Sequence, residues 1–280
     1  MTDLVLENVH VRYGSGSSAH DAVRDVSLTV ASGRTVGLVG ESGSGKSTLA
    51  RAVVGLHEPS AGRILVGGTD VVRARGRVAA ARRDVQMIFQ DASSSLDPRM
   101  TVGASVEEAL EVRGFAQRDQ QGRERTVRRR ARRRAEVVRL LETVELDPAR
   151  ANDLPSQLSG GQRQRVAIAR ALAASPRVLL ADEITSALDV SVQGTVLNLL
   201  RKVQQELDLT VLFISHNLAV VRQLCDEVAV MKDGRVVETG PTTRVIDAPE
   251  HSYTHELIRA VPRFAGSLVD TPSLYRGAAS

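Results

Sequence analysis

The stretch Gly40-Glu41-Ser42-Gly43-Ser44-Gly45-Lys46-Ser47-Thr48 carries the densest chemistry in the chain. It fits the pattern G-x-x-x-x-G-K-[ST] without a mismatch. Its glycines let the backbone curl until successive N–H groups point inward, which makes a cradle for phosphate oxygens. Lys46 can reach the outer phosphates of a nucleotide, and the Ser47 hydroxyl can ligate Mg²⁺. The pattern needs a strand before it and a helix after it. Thr35-Val36-Gly37-Leu38-Val39 is a short apolar run that predicts a buried strand, and Leu49 to Val54 predicts a helix. The helix start adds partial positive charge where phosphates would sit. A Gly/Ser-rich turn matching by chance would have no reason to carry both flanks.

A second group lies far along the chain. Asp182 and Glu183 close the apolar run Arg177-Val178-Leu179-Leu180-Ala181. After a phosphate loop, an aspartate in that place can complete a Mg²⁺ shell, usually through water. Side chains alternate at a strand end, so Glu183 points elsewhere and can hold an attacking water as general base. The bland alternative is an acidic pair in an ordinary strand-to-loop turn.

The elements that must position these groups show in the apolar pattern. The first third is β-rich: Leu4 to Val11, Ala22 to Val30, Gly62 to Gly68 and Asp84 to Phe89 have strand character. From about Gly103 to Leu146 the texture turns helical and charged, with a polar break around Gly114 to Gly122. Strand–helix alternation returns after Ala173. Strands are predicted over 209–214 and 227–231, and helices over 190–207 and 253–260. Fully apolar strands predict a sheet covered on both faces, hence a parallel α/β core.

Composition sets outer bounds. The 280 residues suffice for one large domain or two small ones. Hydrophobic residues make up 42% and charged residues 25%, the balance of a globular chain; aromatics at 2% force an aliphatic core. No apolar run approaches the roughly 18 residues of a membrane span. The N-terminus, Met1-Thr2-Asp3-Leu4, lacks a basic region and an apolar signal core, so a cytosolic location is expected. Cys225 is the one cysteine, sits in an apolar run, and reads as a small core residue. The net charge of +4 rests on arginine, with Lys46, Lys202 and Lys232 the only lysines. Arginines crowd Arg123 to Arg139, foremost the run from Arg128 to Arg134. A solvated helix surface is the plain reading; acidic lipid headgroups, an acidic partner or nucleic acid are sharper ones. No aromatics interleave with these arginines, which weakens single-strand nucleic-acid binding.

Leu158-Ser159-Gly160-Gly161-Gln162 brings in a family. The chain resembles the ATP-binding-cassette (ABC) ATPases over almost its whole length. Besides the P-loop, Gln90 resembles the Q-loop glutamine, Val178–Asp182 with Glu183 the Walker B strand and catalytic carboxylate, Ser186-Ala187-Leu188-Asp189 the D-loop, and His216 the switch histidine. Tyr13 stands where the family places an adenine-stacking aromatic. The resemblance implies a P-loop NTPase (RecA-like) α/β core with an N-terminal antiparallel β-subdomain and an inserted α-helical subdomain. It implies a cassette over residues 1–262, with the helical part at about 96–156 and a C-terminal extension over 241–280. ATP and Mg²⁺ are the implied ligands. Glu183, His216 and Gln90 take catalytic roles, and Ser47, Gln90 and Asp182 face the metal. Ser159 to Gln162 open a helix and form a second phosphate clamp, which by resemblance serves the nucleotide of another subunit; Asp189 ties the two sites together. Two departures are Ile184 and Ala92, each where the family commonly has proline.

Gln90 to Val102, Ala187 to Gln193, Ile214 to Val221 and the tail Pro249 to Leu257, ending at Val261-Pro262, resemble the oligopeptide/dipeptide/nickel importer branch. This implies membrane-spanning permease subunits, a second ABC ATPase chain (the same or a different one), indirectly a solute-binding protein, and a peripheral place on the cytoplasmic face of the cell membrane. Peptides lead as cargo; nickel, sugars and other small solutes stay open. With one cysteine, no iron–sulfur site is expected. The alternative is a cassette ATPase acting on nucleic acid or ribosomes. It would call for tandem cassettes or a coiled-coil insertion, and the chain has neither, so no nucleic-acid partner is expected. A binding-only regulatory cassette fits poorly with intact Lys46, Asp182, Glu183 and His216.

Overall fold

The computed structural model describes residues 2–14, 19–72, 81–91, 95–112 and 126–260. Ala92, the break around Gly114 to Gly122, Arg123 and the tail from Val261 lie outside the described residues, as do the side chains of Arg128 and Arg129.

In chain order the strands and helices are β1 (Leu4–Tyr13), β2 (His20–Val30), β3 (Thr35–Val39), α1 (Lys46–Val53), β4 (Ala61–Val66), β5 (Thr69–Asp70) and β6 (Val85–Ile88). Then come α2 (Val102–Val112), α3 (Thr126–Thr143), α4 (Gly160–Ala173), β7 (Val178–Asp182), α5 (Val190–Glu206) and β8 (Thr210–Ile214). The chain continues with α6 (Leu218–Leu224), β9 (Glu227–Lys232), β10 (Arg235–Pro241), α7 (Thr242–Asp247) and α8 (Ser252–Ala260). Short 3₁₀ turns at Pro148–Asn152 and Pro155–Gln157 lead into α4.

Two sheets result. β2-β1-β4-β5 is antiparallel, and β10-β9-β3-β8-β7-β6 is parallel from β9 to β6 with β10 returning antiparallel. The strands β3, β7 and β8 are buried at every residue. Their side chains alternate between two cores. Leu179, Ala181, Val211 and Phe213 join the apolar faces of the helices, among them Leu140 and Leu141 of α3 and Ile168 of α4. Leu180, Leu212 and Ile214 join the antiparallel sheet and α1. That alternation follows from the two-residue period of a strand, and it explains why these runs are apolar apart from Thr35, Thr210 and Asp182 at their ends. The expected α/β core with an N-terminal antiparallel sheet and helices inserted between β6 and β7 is therefore present. The sequence pattern does not resolve β5, α6, β10 or α7.

Parallel register has a functional consequence. The C-terminal ends of β3, β6, β7 and β8 fall on one edge, the usual place for ligands in such sheets. These ends carry Gly40, Gln90, Asp182 and His216.

Cys225 is buried in the core, and burial pushes its thiol well above the usual cysteine range, as expected of an inert core residue. The arginine-rich α3 is mostly a charged outer face. Arg130, Arg132 and Arg134 are exposed, whereas Arg133 is drawn in by Glu107 (3.4 Å) and Glu111 (2.6 Å) of α2. No helix among the described residues is long and apolar enough to cross a membrane.

Candidate nucleotide site

The loop Gly40–Gly45 joins β3 to α1. Its shape depends on Gly45, whose φ of 106° is left-handed; a Cβ there would lie 2.4 Å from the Ala22 carbonyl oxygen. The loop is braced from outside by the β9–β10 turn, where Gly234 N–H donates to the Ser44 carbonyl at 3.0 Å. Glu41, Ser42 and Gly43 are exposed, while Ser44 and Lys46 are buried.

Lys46 is 5% exposed and turns back over the loop. Its Nζ donates to Gly40 O at 2.8 Å, Glu41 O at 2.7 Å and Ser44 Oγ at 3.3 Å. Burial pulls its pKa below the usual lysine range, against the attraction of Glu183, Asp182 and Glu41. Ser47 Oγ donates to Asp182 Oδ1 at 3.4 Å, so two hard oxygen donors meet beside the loop. Burial raises the Asp182 carboxyl above its ordinary range; the Ser47 hydrogen bond opposes that rise and Glu183 adds to it.

Glu183 follows directly after Asp182. Its φ of 47° is left-handed, a conformation that costs a non-glycine residue about 1 kcal/mol or more. The bond from its N–H to Ile214 O at 3.0 Å helps hold it there. Ile184, where the family commonly has proline, is 1% exposed, so burial anchors this turn in place of a ring. One oxygen of the Glu183 carboxylate accepts from Gln90 Nε2 at 3.1 Å, and the other lies 3.3 Å from His216 Nδ1. Gln90 Nε2 also reaches Ser186 Oγ at 3.2 Å. That leaves the Gln90 amide oxygen as its atom for a cation. Thr48 lies 3.4 Å from the Tyr13 hydroxyl, and the Tyr13 ring stands 4.5 Å from the His57 ring, tilted by 48°. Tyr13 is thus placed beside the loop, but one side of its ring is already occupied.

The second group of candidate residues lies apart from that loop. Ser159 caps α4 and accepts from Gln162 N at 3.3 Å, while Gln162 Oε1 accepts from Ser159 N at 2.9 Å. This reciprocal box fixes the start of α4 from local sequence alone. Ser159 is exposed. A Cβ on Gly161 would come 2.5 Å from Val192 Cγ1, and one on Gly160 3.3 Å from Leu188 Cδ2, so glycines let α4 approach the Ser186–Asp189 loop and α5. Asp189 stands at the start of α5, exposed and without a side-chain capping bond. Among the described residues, no hydrogen bond joins Ser159, Gly160, Gly161, Gln162 or Asp189 to the Gly40–Thr48 loop.

One contact went unread in the sequence. The Glu41 N–H donates to the hydroxyl of Tyr253, far along the chain on α8, at 3.0 Å. No local signal marks it, because it depends on where the C-terminal helix docks.

A family model described as ABC transporter matches residues 23–186, more than half of the chain. The chain belongs to the ABC transporter family. The matched part of this ABC chain holds the loop, Gln90, the capped start of α4 and the Asp182–Glu183 pair; Tyr13, Asp189 and His216 fall outside it. It is 48% identical over 242 residues to the probable peptide ABC transporter ATP-binding protein y4tS of Sinorhizobium fredii, covering 86% of this chain and 65% of that one. It is 46% identical over 242 residues to the glutathione import ATP-binding protein GsiA of Salmonella typhimurium, covering 86% of this chain. The match spans only 37% of the GsiA length. Among solved structures, the dimeric post-hydrolysis state of the ATP-binding cassette MJ0796 bound to ADP and Pi matches with a TM-score of 0.71 at 32% identity. That match covers 85% of this chain and 98% of that one.

Proposed function

We propose that this cassette binds Mg²⁺-ATP on the Gly40–Thr48 loop, hydrolyses it, and thereby powers a membrane importer of the peptide type. One observation carries the chemistry: Glu183 is held between Gln90 and His216, immediately after the Ser47–Asp182 pair beside the loop. A carboxylate so oriented can take a proton from water, and a histidine beside it can steady the attacking water and the developing charge on the terminal phosphate.

The residues fit a magnesium nucleotide. Among the described residues, no cluster of three His, Cys, Asp or Glu could hold a metal alone. Ser47 and Asp182 instead offer two oxygens at one point, which suits a cation that takes its remaining ligands from phosphate and water. When bound, Mg²⁺ would neutralise phosphate charge as the terminal group departs. Ser47 and Asp182 would hold it, with the Gln90 amide oxygen within the same group. Lys46 would exchange the loop carbonyls for phosphate oxygens. Tyr13 would offer its remaining face to adenine.

The exposed start of α4 supports a composite site. A helix N-terminus with an exposed serine, whose hydroxyl hydrogen can still be donated, can act as an anion clamp. Here it makes no bond to its own loop, so it is available to the nucleotide of a second cassette; the solved MJ0796 cassette is dimeric. We expect Ser159→Arg to stop ATP turnover while leaving ATP bound at the Gly40–Thr48 loop. Phosphate release at the wild-type rate in that variant would end the composite-site reading.

The import reading draws on relatives whose names concern peptide and glutathione import. Its partners are permease subunits, a second ATPase chain and, through the permease, a solute-binding protein. The cassette would sit peripherally on the cytoplasmic face of the membrane. Affinity isolation of the tagged chain from detergent-solubilised membranes tests this. Permease subunits are expected to come with it; RNA or DNA in their place would overturn the import reading.

A further inference from the structure

Tyr253 lies on α8 and is 3% exposed. Its hydroxyl oxygen accepts the N–H of Glu41 at 3.0 Å. That N–H belongs to the Gly40–Glu41 peptide unit, and the carbonyl of the same unit accepts from Lys46 Nζ at 2.8 Å. A peptide unit is planar, so the orientation of one end sets the other. The next carbonyl, Glu41 O, also accepts from Lys46, at 2.7 Å. Tyr253 on one side and Lys46 on the other therefore clamp a single plane at the entrance to the loop.

Beyond these, Gly40 packs against the Met231 carbonyl and Ser44 N–H donates to Glu41 O at 3.2 Å, but no other side chain bonds the Gly40–Glu41 unit among the described residues. Gly40 precedes it, Gly43 follows with a φ of 82°, and Glu41, Ser42 and Gly43 are exposed. Glycine-rich backbone of this kind has many accessible conformations. Tyr253, by contrast, is well anchored. It belongs to the same apolar cluster as Val228, Val230 and Val245. The Lys232 ammonium lies 4.5 Å over its ring. The approach of α8 is set from β10, where the Glu238 carboxylate accepts from the amides of Glu250 (2.9 Å) and His251 (3.1 Å).

We propose that Tyr253 is a positioning residue for the nucleotide loop: α8 sets the Gly40–Glu41 peptide and, through it, the place of Lys46. This rests on the nucleotide-binding reading above. Burial raises the phenol above its usual range, so at neutral pH it accepts the Glu41 N–H as an uncharged group. The C-terminal helix is then part of the ATP site without touching ATP.

The test is Tyr253→Phe in the full chain, which removes one oxygen and keeps the ring in place. Losing one hydrogen bond that orders a binding element corresponds to about a three- to tenfold change in affinity. We expect Kd and KM for Mg²⁺-ATP to rise by about that factor, with kcat within about twofold, because the loss falls on binding rather than on the chemical step. Thr242→Val is the control. Thr242 on α7 is 3% exposed, and its hydroxyl donates to Cys225 O at 2.9 Å, so it ties down the same C-terminal segment away from the loop. Thr242→Val should lower Tm and leave KM unchanged. Unchanged Kd and KM in Tyr253→Phe would overturn the proposal. So would a KM increase in Thr242→Val equal to that of Tyr253→Phe, which would mean general loosening. Wild-type protein that fails to bind ATP would bring down the nucleotide reading itself; wild-type binding with equal binding by Tyr253→Phe removes only the inference about Tyr253.

Discussion

Glu183→Gln is expected to keep ATP bound and to slow its hydrolysis by about 10²- to 10⁴-fold, the usual range for losing a general base. The amide has almost the volume of the carboxylate. Its oxygen can still accept from Gln90 Nε2, now 3.1 Å from Glu183 Oε2, so the turn should survive. What it cannot do is take a proton at neutral pH. Asp182, Ser47 and Lys46 stay in place, so affinity for Mg²⁺-ATP should stay within a fewfold of wild type. Steady-state phosphate release and equilibrium ATP binding, measured on the same preparation, separate the two quantities. Turnover at the wild-type rate would move the base away from Glu183. Lost binding would mean that Glu183 acts on the ground state instead.

Lys46→Ala should have the opposite signature. The ammonium is the one lysine charge in the loop, buried to 5% exposure and bonded to two carbonyls and a hydroxyl. In the ATP complex it would trade those partners for phosphate oxygens, and each charge-assisted bond is worth about 1.5–3 kcal/mol. Two such bonds lost correspond to a Kd increase of about 100-fold or more. Folding should suffer much less. Burial already pulls this lysine below its usual pKa range, so removing it relieves a desolvation cost while freeing the Gly40 and Glu41 carbonyls. Thermal unfolding without nucleotide should therefore shift little, while ATP should no longer raise Tm. Undiminished ATP affinity in a folded Lys46→Ala protein would remove the loop from the nucleotide site.

Together with Ser159→Arg, these substitutions divide the proposed cycle into binding, chemistry and closure by a second cassette. Each has a separate readout. An isolated monomer should resemble Ser159→Arg: ATP binds, and turnover is poor.

The parts of this protein that local chemistry controls were legible in the sequence. Glycine spacing at Gly40, Gly43 and Gly45 predicts a loop that only such backbone can follow. Ser159 to Gln162 are expected, by resemblance, to open a helix, and α4 starts there behind a reciprocal Ser159–Gln162 box built from local residues alone. The apolar runs at 35–39, 177–181 and 209–214 predict strands buried on both faces, and β3, β7 and β8 are buried at every residue. Short elements such as β5 and α6 escaped because a few residues hold too little periodicity to separate from loop.

Gln90 and His216 are different. Alone, each is an ordinary polar residue after a strand; only their order relative to the other motifs singles them out. It is the parallel pairing of β6, β7 and β8 that brings both onto Glu183. The Tyr253–Glu41 bond goes further, joining residues 212 apart with no motif at either end to announce it. Torsional preferences and caps act over a few residues, so sequence alone determined the Gly40–Thr48 loop, the cap of α4 and the apolar strands. Which of those pieces meet depends on sheet register and on how helices bury their apolar faces, a cooperative outcome of the whole chain. Tertiary structure therefore decided that Gln90 and His216 share one carboxylate, that Ser159 stands clear of its own loop, and that the loop is held by the C-terminal helix.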